Sequence, residues 1–245
     1  MGAAVTVLGA QSLLLGMYVG RLEPIPAWVP GHDAIAYLTG AFFVIVGLCI
    51  LTGKWARLAA SALAVVLLTW TVVLHVPQLV ANPLGGALNG TFETFALFGT
   101  AWVLAATLPA DSAKQKWDAL VDRGAVLGRL CFAVSLPVFG IAHFQYHDFV
   151  ASWVPKWIPF PLFWAYFTGA AHCAAGVAIL VNVLARLAAT LAAVMYGSWA
   201  LIVHIPRILA APRDAFEWNG LFVASALCAG ALLVAGSLRE HRPRN

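Results

Sequence analysis

The stretch PAWVPGHDAIAYLTGAFFVIVG, numbered 26–47, recurs in diverged form as PKWIPFPLFWAYFTGAAHCAAG, numbered 155–176. The correspondence continues without a gap, so that residues 26–79 align with residues 155–208 at a constant offset of 129, and roughly 20 of these positions are identical. The matched positions include His75 and His204, each of which precedes a proline by two residues. A repeat of this kind predicts two copies of one structural unit.

Apolar runs on both sides of this stretch are long enough to cross a bilayer, which takes about 20 residues per helix. The sequence predicts eight spans, near 3–20, 34–52, 56–76, 90–108, 125–144, 162–182, 185–205 and 217–236. Four spans per unit is an even number, so both units insert in the same direction. We therefore expect an all-α integral membrane protein built from two parallel four-helix transmembrane bundles related by a pseudo-twofold axis. The expected boundaries are 1–108 for the first unit, 109–124 for a cytoplasmic linker, 125–238 for the second unit and 239–245 for a cytoplasmic tail.

The composition agrees with a chain that lies in lipid. Hydrophobic residues make up 62% of the 245 positions and charged residues only 10%, whereas soluble domains carry about 25% charged residues. The basic residues stand singly at the ends of apolar runs, which argues against nucleic-acid binding. With the N-terminus inside, the inner segments hold 10 Lys and Arg residues and the outer segments hold 4, which predicts a multi-pass protein of the inner (plasma) membrane with both termini cytoplasmic. Arg57 and Arg186, at the inner ends of two spans, are expected to be snorkelling anchors.

Histidines in the second unit are the main candidates for a site, because ionisable residues at membrane depth are costly. His143 and His147 are spaced i, i+4 and should share one face of the fifth span. His172 lies near the middle of the sixth span and His204 near the outer end of the seventh. The offset of 129 pairs the first three of these histidines with Leu14, Tyr18 and Phe43, so the first unit lacks most of the set.

Several ligands fit such a set, and the pattern leaves them open. Neutral imidazoles bind metals and haem iron, so His143, His147, His172 and His204 form a possible metal or haem set, although no metal is predicted outright. A quinone or another small ligand would use the same histidines, with Trp164 and Tyr166 nearby. In a third interpretation the histidines are hydrogen-bonded structural groups. Glu217, at the start of the eighth span, could line the site, but its spacing from Asp214 favours a helix-capping role.

The residues of the second unit also resemble a known family. The carrying segments are Phe139-Gly140-Ile141-Ala142-His143-Phe144, then Val154-Pro155-Lys156-Trp157-Ile158-Pro159 and Trp164-Ala165-Tyr166-Phe167-Thr168-Gly169, continuing through Gly176 to Ala185-Arg186-Leu187-Ala188-Ala189. In these segments the chain resembles the DoxX family, and residues 1–108 look like a second, diverged copy. The resemblance implies a four-helix membrane fold. It also implies a role as a membrane subunit in quinone-linked sulfur oxidation or in a thiol-redox complex.

Three hypotheses follow. The leading one is a DoxX-like inner-membrane protein of a redox process, which binds quinone or anchors a soluble oxidoreductase in the bilayer, with a pocket that opens to the outer face of the second bundle. The second is a small-molecule transporter, since parallel repeats suit that class. The third is a non-catalytic scaffold or assembly factor. Whether the chain is an enzyme stays open at this point.

Overall fold

The computed structural model describes residues 1–109 and 115–238, and every regular element in these ranges is a helix. The helices, numbered here in chain order, are α1 (Gly2–Leu15), α2 (His32–Thr52), α3 (Ala56–Ala81), α4 (Gly86–Thr107), α5 (Gln115–Gln145), α6 (His147–Trp153), α7 (Pro161–Leu180), α8 (Ala185–Ala210) and α9 (Ala215–Ser237).

Six of these helices are long and apolar enough to cross a membrane, by length and composition: α2, α3, α5 from Asp118 onward, α7, α8 and α9. Helix α1 is apolar but shorter, at 14 residues. Helix α4 has 22 residues and is less apolar, but it packs against α3, α5 and α9 at the centre of the molecule. A helix shielded by its neighbours can carry polar residues because few of its side chains would meet lipid.

Matching local backbone features occur at corresponding positions in the two halves of the chain. Both α3 and α8 contain a π-helical turn, at Thr71–His75 and Ala200–His204, and the two turns are separated by the offset of 129. Each π-turn precedes a proline, whose missing N–H removes a helical hydrogen bond. The residues before α3 and α8, Trp55 and Leu184, both have left-handed backbone conformations. The local backbone geometry of the repeat is therefore conserved even where the side chains differ.

The first helix of each unit crosses the second helix at a pair of glycines. A Cβ atom added to Gly9 would lie 2.6 Å from the carbonyl oxygen of Gly40, and one added to Gly140 would lie 2.5 Å from that of Gly169. Only glycine permits such close helix contact. This crossing fixes the register of the first helix in each unit at an offset of 131.

The units are joined along their length and share one continuous core. Helix α4 packs on α5 across the unit boundary, and α9 packs on both α4 and α1. Helix α5 begins at Gln115, so residues 115–124 of the expected 109–124 linker are helical, while residues 110–114 and the tail after residue 238 lie outside the described residues.

Arg57 contradicts its expected role as a snorkelling anchor. Its side chain is buried, and its guanidinium donates to Asp118 Oδ1 at 2.6 Å and Asp122 Oδ1 at 2.8 Å. It also donates to the carbonyl oxygens of Ala105 and Leu108, both at 2.9 Å. Burial is tolerated because nearly every donor of the guanidinium has a partner. This cluster ties the start of α3 to the end of α4 and the start of α5.

Candidate functional site

One large cavity, of about 1710 Å³, is lined by residues of both units, the majority of them from the second. Its mouth is at the end of the molecule where the α1–α2 connection, α6 and the end of α8 lie. We call this the mouth end, and the opposite end, with the Gly53 and Asn182 connections, the hairpin end. Of the predicted site residues, His143, His172, His204 and Trp164 line the cavity.

Four aromatic and imidazole rings meet about halfway along α7 and α8, and we call them the deep cluster: His143 on α5, His172 on α7, and Tyr196 and Trp199 on α8. The ring centroids of His143 and His172 are 5.0 Å apart, and His143 stacks on Trp199 at 5.7 Å. His172 lies 5.6 Å from Tyr196 and 5.3 Å from Trp199. Two of these four residues, His143 and His172, are among the candidates predicted from the sequence, and the two on α8 are not.

Hydrogen bonds fix the tautomers of both imidazoles. His172 Nδ1 donates to the carbonyl oxygen of Thr168 at 2.9 Å, and His143 Nδ1 donates to that of Phe139 at 2.8 Å. A carbonyl oxygen only accepts, so each Nδ1 carries the proton and each Nε2 of a neutral ring is an acceptor. The deep cluster therefore presents two basic nitrogens on residues that line the cavity.

Two polar atoms of the deep cluster are buried without any hydrogen-bond partner among the described residues. They are His172 Nε2 and the hydroxyl oxygen of Tyr196, on side chains that are each 1% exposed. Buried polar groups are almost always paired, since leaving one unpaired costs about 1–3 kcal/mol. Such an exception beside a cavity indicates a site prepared for a polar group from outside the chain.

The corresponding position in the first unit lacks these polar side chains. At the offset of 129, Phe43 and Leu67 stand where the second unit has His172 and Tyr196. Phe43 packs against Trp70 at 5.5 Å, much as His172 packs against Trp199. The space beside Phe43 and Leu67 is about 10 Å³. The same place thus holds apolar side chains in one unit and two buried, unpartnered polar atoms in the other.

The pairing of His143 and His147 with Leu14 and Tyr18 is wrong. A Cβ atom on Gly40 would meet Ser12, and one on Gly169 would meet His143, so the glycine crossing pairs His143 with Ser12. The offset on this helix is 131, because the connection to the next helix is two residues longer in the first unit. His147 then corresponds to Gly16, and the conclusion that the first unit lacks these histidines is unchanged.

The predicted shared face of His143 and His147 is also wrong. Helix α5 ends at Gln145, Tyr146 leaves helical geometry, and His147 begins α6. His147 stacks on Tyr166 at 5.4 Å and lies 3.6 Å from Asp148. Neither His147 nor Tyr166 lines the cavity.

Glu217 forms an ion pair instead of lining the cavity or completing a capping box. It accepts two hydrogen bonds from Arg207, at 2.8 and 2.5 Å, while Asp214 alone caps α9 by accepting from Phe216 N at 2.9 Å. The Arg207 guanidinium also lies 3.9 Å from the Trp153 ring. A second pair, Arg21–Glu93, lies within the first unit and joins the α1–α2 connection to α4.

The two repeated histidines have different surroundings. His75 Nε2 donates to the carbonyl oxygen of Leu22 at 2.9 Å and lies 3.0 Å from the Thr94 hydroxyl. In the second unit, Ala224 stands in place of Thr94. There His204 Nδ1 is buried without a hydrogen-bond partner in the described part of the chain. Each ring packs against a glycine, and a Cβ atom on Gly220 would lie 2.7 Å from His204 Cε1. Both histidines line the cavity, but His75 is held by hydrogen bonds whereas His204 Nδ1 has no partner among the described residues.

The geometry does not favour the metal and haem interpretations. Within residues 1–109 and 115–238, no three His, Cys, Asp or Glu side chains are grouped as a metal site requires. His143 and His172 lie too close together for a haem iron between them, which needs a full bond length to each nitrogen. As placed, the deep cluster is suited to an uncharged organic ligand.

Comparison with known proteins gives a partial match. The model of a domain of unknown function (DUF8561) matches residues 132–239, which begin within α5 and reach the end of α9. The match covers less than half of the chain and includes every residue of the deep cluster. No curated protein and no solved structure matches the sequence.

Proposed function

We propose that this chain is an eight-span membrane protein of DoxX-like organisation whose second unit binds a quinol. The eight spans are the six long apolar helices together with α1 and the shielded α4. The repeated π-turns and glycine crossings support two parallel units. The excess of Lys and Arg in the inner segments favours an inner-membrane orientation with the hairpin end and both termini in the cytoplasm.

The unpartnered pair, His172 Nε2 and the Tyr196 hydroxyl, is the observation that carries the proposal. A quinol hydroxyl donates a hydrogen bond, and Nε2 is the acceptor that it requires. The Tyr196 hydroxyl donates to an oxygen of the same ligand. The flat ring packs against Trp199 and Phe139, which lie 5.3 and 5.8 Å from the His172 ring. Because the deep cluster holds no charged side chain, an uncharged ring is favoured over an ion.

The tautomer of His172 predicts which redox form binds more tightly. With Nδ1 donating to Thr168, a neutral His172 offers only an acceptor, and an oxidised quinone offers only acceptors. The reduced quinol therefore fits better. In the sulfur oxidation that the resemblance to DoxX subunits suggests, a soluble oxidoreductase docked on the membrane domain supplies two electrons, and the quinone takes up two protons from solvent to become the quinol. Nε2 of His172 then accepts a hydrogen bond from the quinol hydroxyl, and the His143 ring lies 5.0 Å from the His172 ring.

A thermal-shift titration of the detergent-purified protein tests this function. The probe is the tail-less benzoquinol ubiquinol-0, kept reduced under anaerobic conditions. A ligand that binds only the folded state raises the melting temperature with its concentration. Tyr196→Phe should weaken binding about fivefold to tenfold, because one hydrogen bond contributes about 1 kcal/mol. His147→Ala, which removes a histidine outside the cavity, is the matched control. Equal shifts in the wild type and in Tyr196→Phe would refute the assignment, and a Soret band in the visible spectrum that moves on reduction would replace quinol by haem.

The second candidate function is transport of a small molecule. The specific observation is the size of the cavity, about 1710 Å³, and its position at the seam of two parallel repeats, where transporters bind their substrates. Uptake into proteoliposomes separates the two functions, because a quinol-binding subunit catalyses no net uptake. Constant co-purification with a soluble protein, without uptake or quinol binding, would favour the scaffold hypothesis.

A further inference from the structure

The cavity does not end at the deep cluster but continues toward the hairpin end as a groove between α7 and α8. On α7 the groove is lined by small side chains, namely Ala171, Ala174 and Ala178. On α8 it is lined by apolar side chains that are more than half exposed, namely Leu184, Leu187, Leu191 and Val194. From Tyr196 to Leu184 the groove follows α8 for about 18 Å at 1.5 Å per residue. It therefore joins a buried polar site to the surface that lipid would cover.

The corresponding helix of the first unit, α2, carries different residues at the positions that line the groove on α7. At the offset of 129, Phe42 and Ile45 stand at the positions of Ala171 and Ala174, and Cys49 stands at that of Ala178. None of these three residues lines the cavity. On α2, Phe42 and Cys49 pack against the core and Ile45 is exposed, whereas the smaller alanines of α7 line the groove. The difference coincides with the replacement of Phe43 and Leu67 by His172 and Tyr196, so the groove and the unpartnered polar atoms occur together.

We propose that the α7–α8 groove holds the hydrocarbon tail of the ligand whose ring binds at the deep cluster. This inference rests on the proposed quinol site and adds the class of ligand: an uncharged ring on a long hydrocarbon tail, which enters sideways from the bilayer. A soluble ring without a tail can enter the cavity through its mouth and does not need the groove. The tail gains little hydrophobic free energy by leaving lipid for an apolar groove. The groove therefore acts by giving the tail room while the ring reaches His172.

Two probes and one pair of variants test the groove. The probes are decylubiquinol and the tail-less ubiquinol-0, titrated against the full-length protein in one detergent. The variant Ala171→Phe/Ala174→Ile copies the first unit, which carries Phe42 and Ile45 at these positions. Val177→Phe adds bulk to the exposed surface of α7 outside the cavity and is the control. Comparing variants with the same probe removes the effect of partitioning into micelles.

The groove variant is expected to lose affinity for the tailed probe and to keep its affinity for the tail-less one. The Ala171→Phe/Ala174→Ile variant should bind decylubiquinol at least tenfold more weakly than the wild type and should bind ubiquinol-0 within twofold of the wild type, which also shows that it is folded. Val177→Phe should bind both probes normally. Unchanged decylubiquinol binding in the groove variant would overturn the tail site and leave the ring site standing. Loss of ubiquinol-0 binding that tracks decylubiquinol would also overturn the selective role of the groove, whereas failure of the wild type to bind ubiquinol-0 would refute the ring site itself.

Discussion

The repeat offers a direct test of whether the deep cluster is kept at a cost in stability. We consider the double variant His172→Phe/Tyr196→Leu, which gives the second unit the side chains found at the corresponding positions of the first, Phe43 and Leu67. The surrounding packing should accept them, because Phe43 meets Trp70 at 5.5 Å while His172 meets Trp199 at 5.3 Å. The change removes both unpartnered buried polar atoms of the cluster in one step.

The expected effect on the ligand-free protein is an increase in stability. Each unpaired buried polar group costs about 1–3 kcal/mol, so their removal should relieve about 2–6 kcal/mol. Loss of packing when the buried Tyr196 ring becomes a smaller leucine offsets part of this, since imperfect repacking of a core costs up to about 3 kcal/mol. We expect a net gain on the order of 2 kcal/mol. For a chain of this size this raises the melting temperature by about 4–8 °C.

The assay is thermal unfolding followed by tryptophan fluorescence, in one detergent and without added quinol. The reciprocal variant Phe43→His/Leu67→Tyr buries the same polar groups in the first unit and should melt below the wild type. Binding of ubiquinol-0 should be lost in His172→Phe/Tyr196→Leu and kept in the reciprocal variant. A folded, ligand-free His172→Phe/Tyr196→Leu protein that melts below the wild type would refute the reasoning, because the polar atoms would then contribute stability in their present places.

Three further changes test other parts of the structure. Arg57→Ala should lower the free energy of unfolding by about 3–5 kcal/mol, because it strands a buried carboxylate, whereas Lys54→Ala on the exposed connection should stay within about 0.5 kcal/mol in the same melting assay. Burial raises the pKa of Glu23, in the α1–α2 connection, from 4.5 to about 7, and the hydroxyl of Thr39 offsets part of this rise. The contribution of Glu23 to the free energy of unfolding is therefore full below about pH 4.5 and is lost as the pH rises toward 7. The melting temperature of Glu23→Gln should therefore exceed that of the wild type at pH 8 and lose this pH dependence. Gly220→Ala should cost about 1–3 kcal/mol, because the added methyl would lie 2.7 Å from an imidazole carbon, whereas Gly90→Ala, with 3.3 Å to its imidazole, should cost less.

The helices could be predicted from the sequence largely because lipid demands long apolar runs. Each of the eight expected spans corresponds to a helix, from α1 at Gly2–Leu15 to α9 at Ala215–Ser237. The sequence did not predict that α5 would begin at Gln115, because its first turns are polar and lie outside the apolar run. It also did not predict the separate helix α6, since His147–Trp153 carries no long apolar run of its own.

The site was harder to predict because convergence depends on rotation about each helix axis. The depth of His172 followed from its place in an apolar run, but its contact with His143 required the glycine crossing, which a hydropathy pattern does not register. Tyr196 and Trp199 were missed because aromatic residues are common in spans. A usable signal existed for Tyr196: the aligned repeat places a polar hydroxyl where the other copy has Leu67. Trp199 is identical in both copies, as Trp70, and carries no such signal.

Comparison of the two copies within one chain separates structural from functional residues without any homologue. Features present in both copies, such as the π-turns and the glycine crossings, are needed to build the four-helix unit. Features present in one copy, such as Tyr196 and the small side chains Ala171 and Ala174, are not needed for folding, because Leu67, Phe42 and Ile45 serve the other copy. The differences at Tyr196, Ala171 and Ala174 make the second unit more open or more polar, and each one costs packing or leaves a buried group unpaired. Side chains that lower stability at only one of two equivalent positions are expected where a ligand binds. The second unit is therefore the candidate for ligand binding.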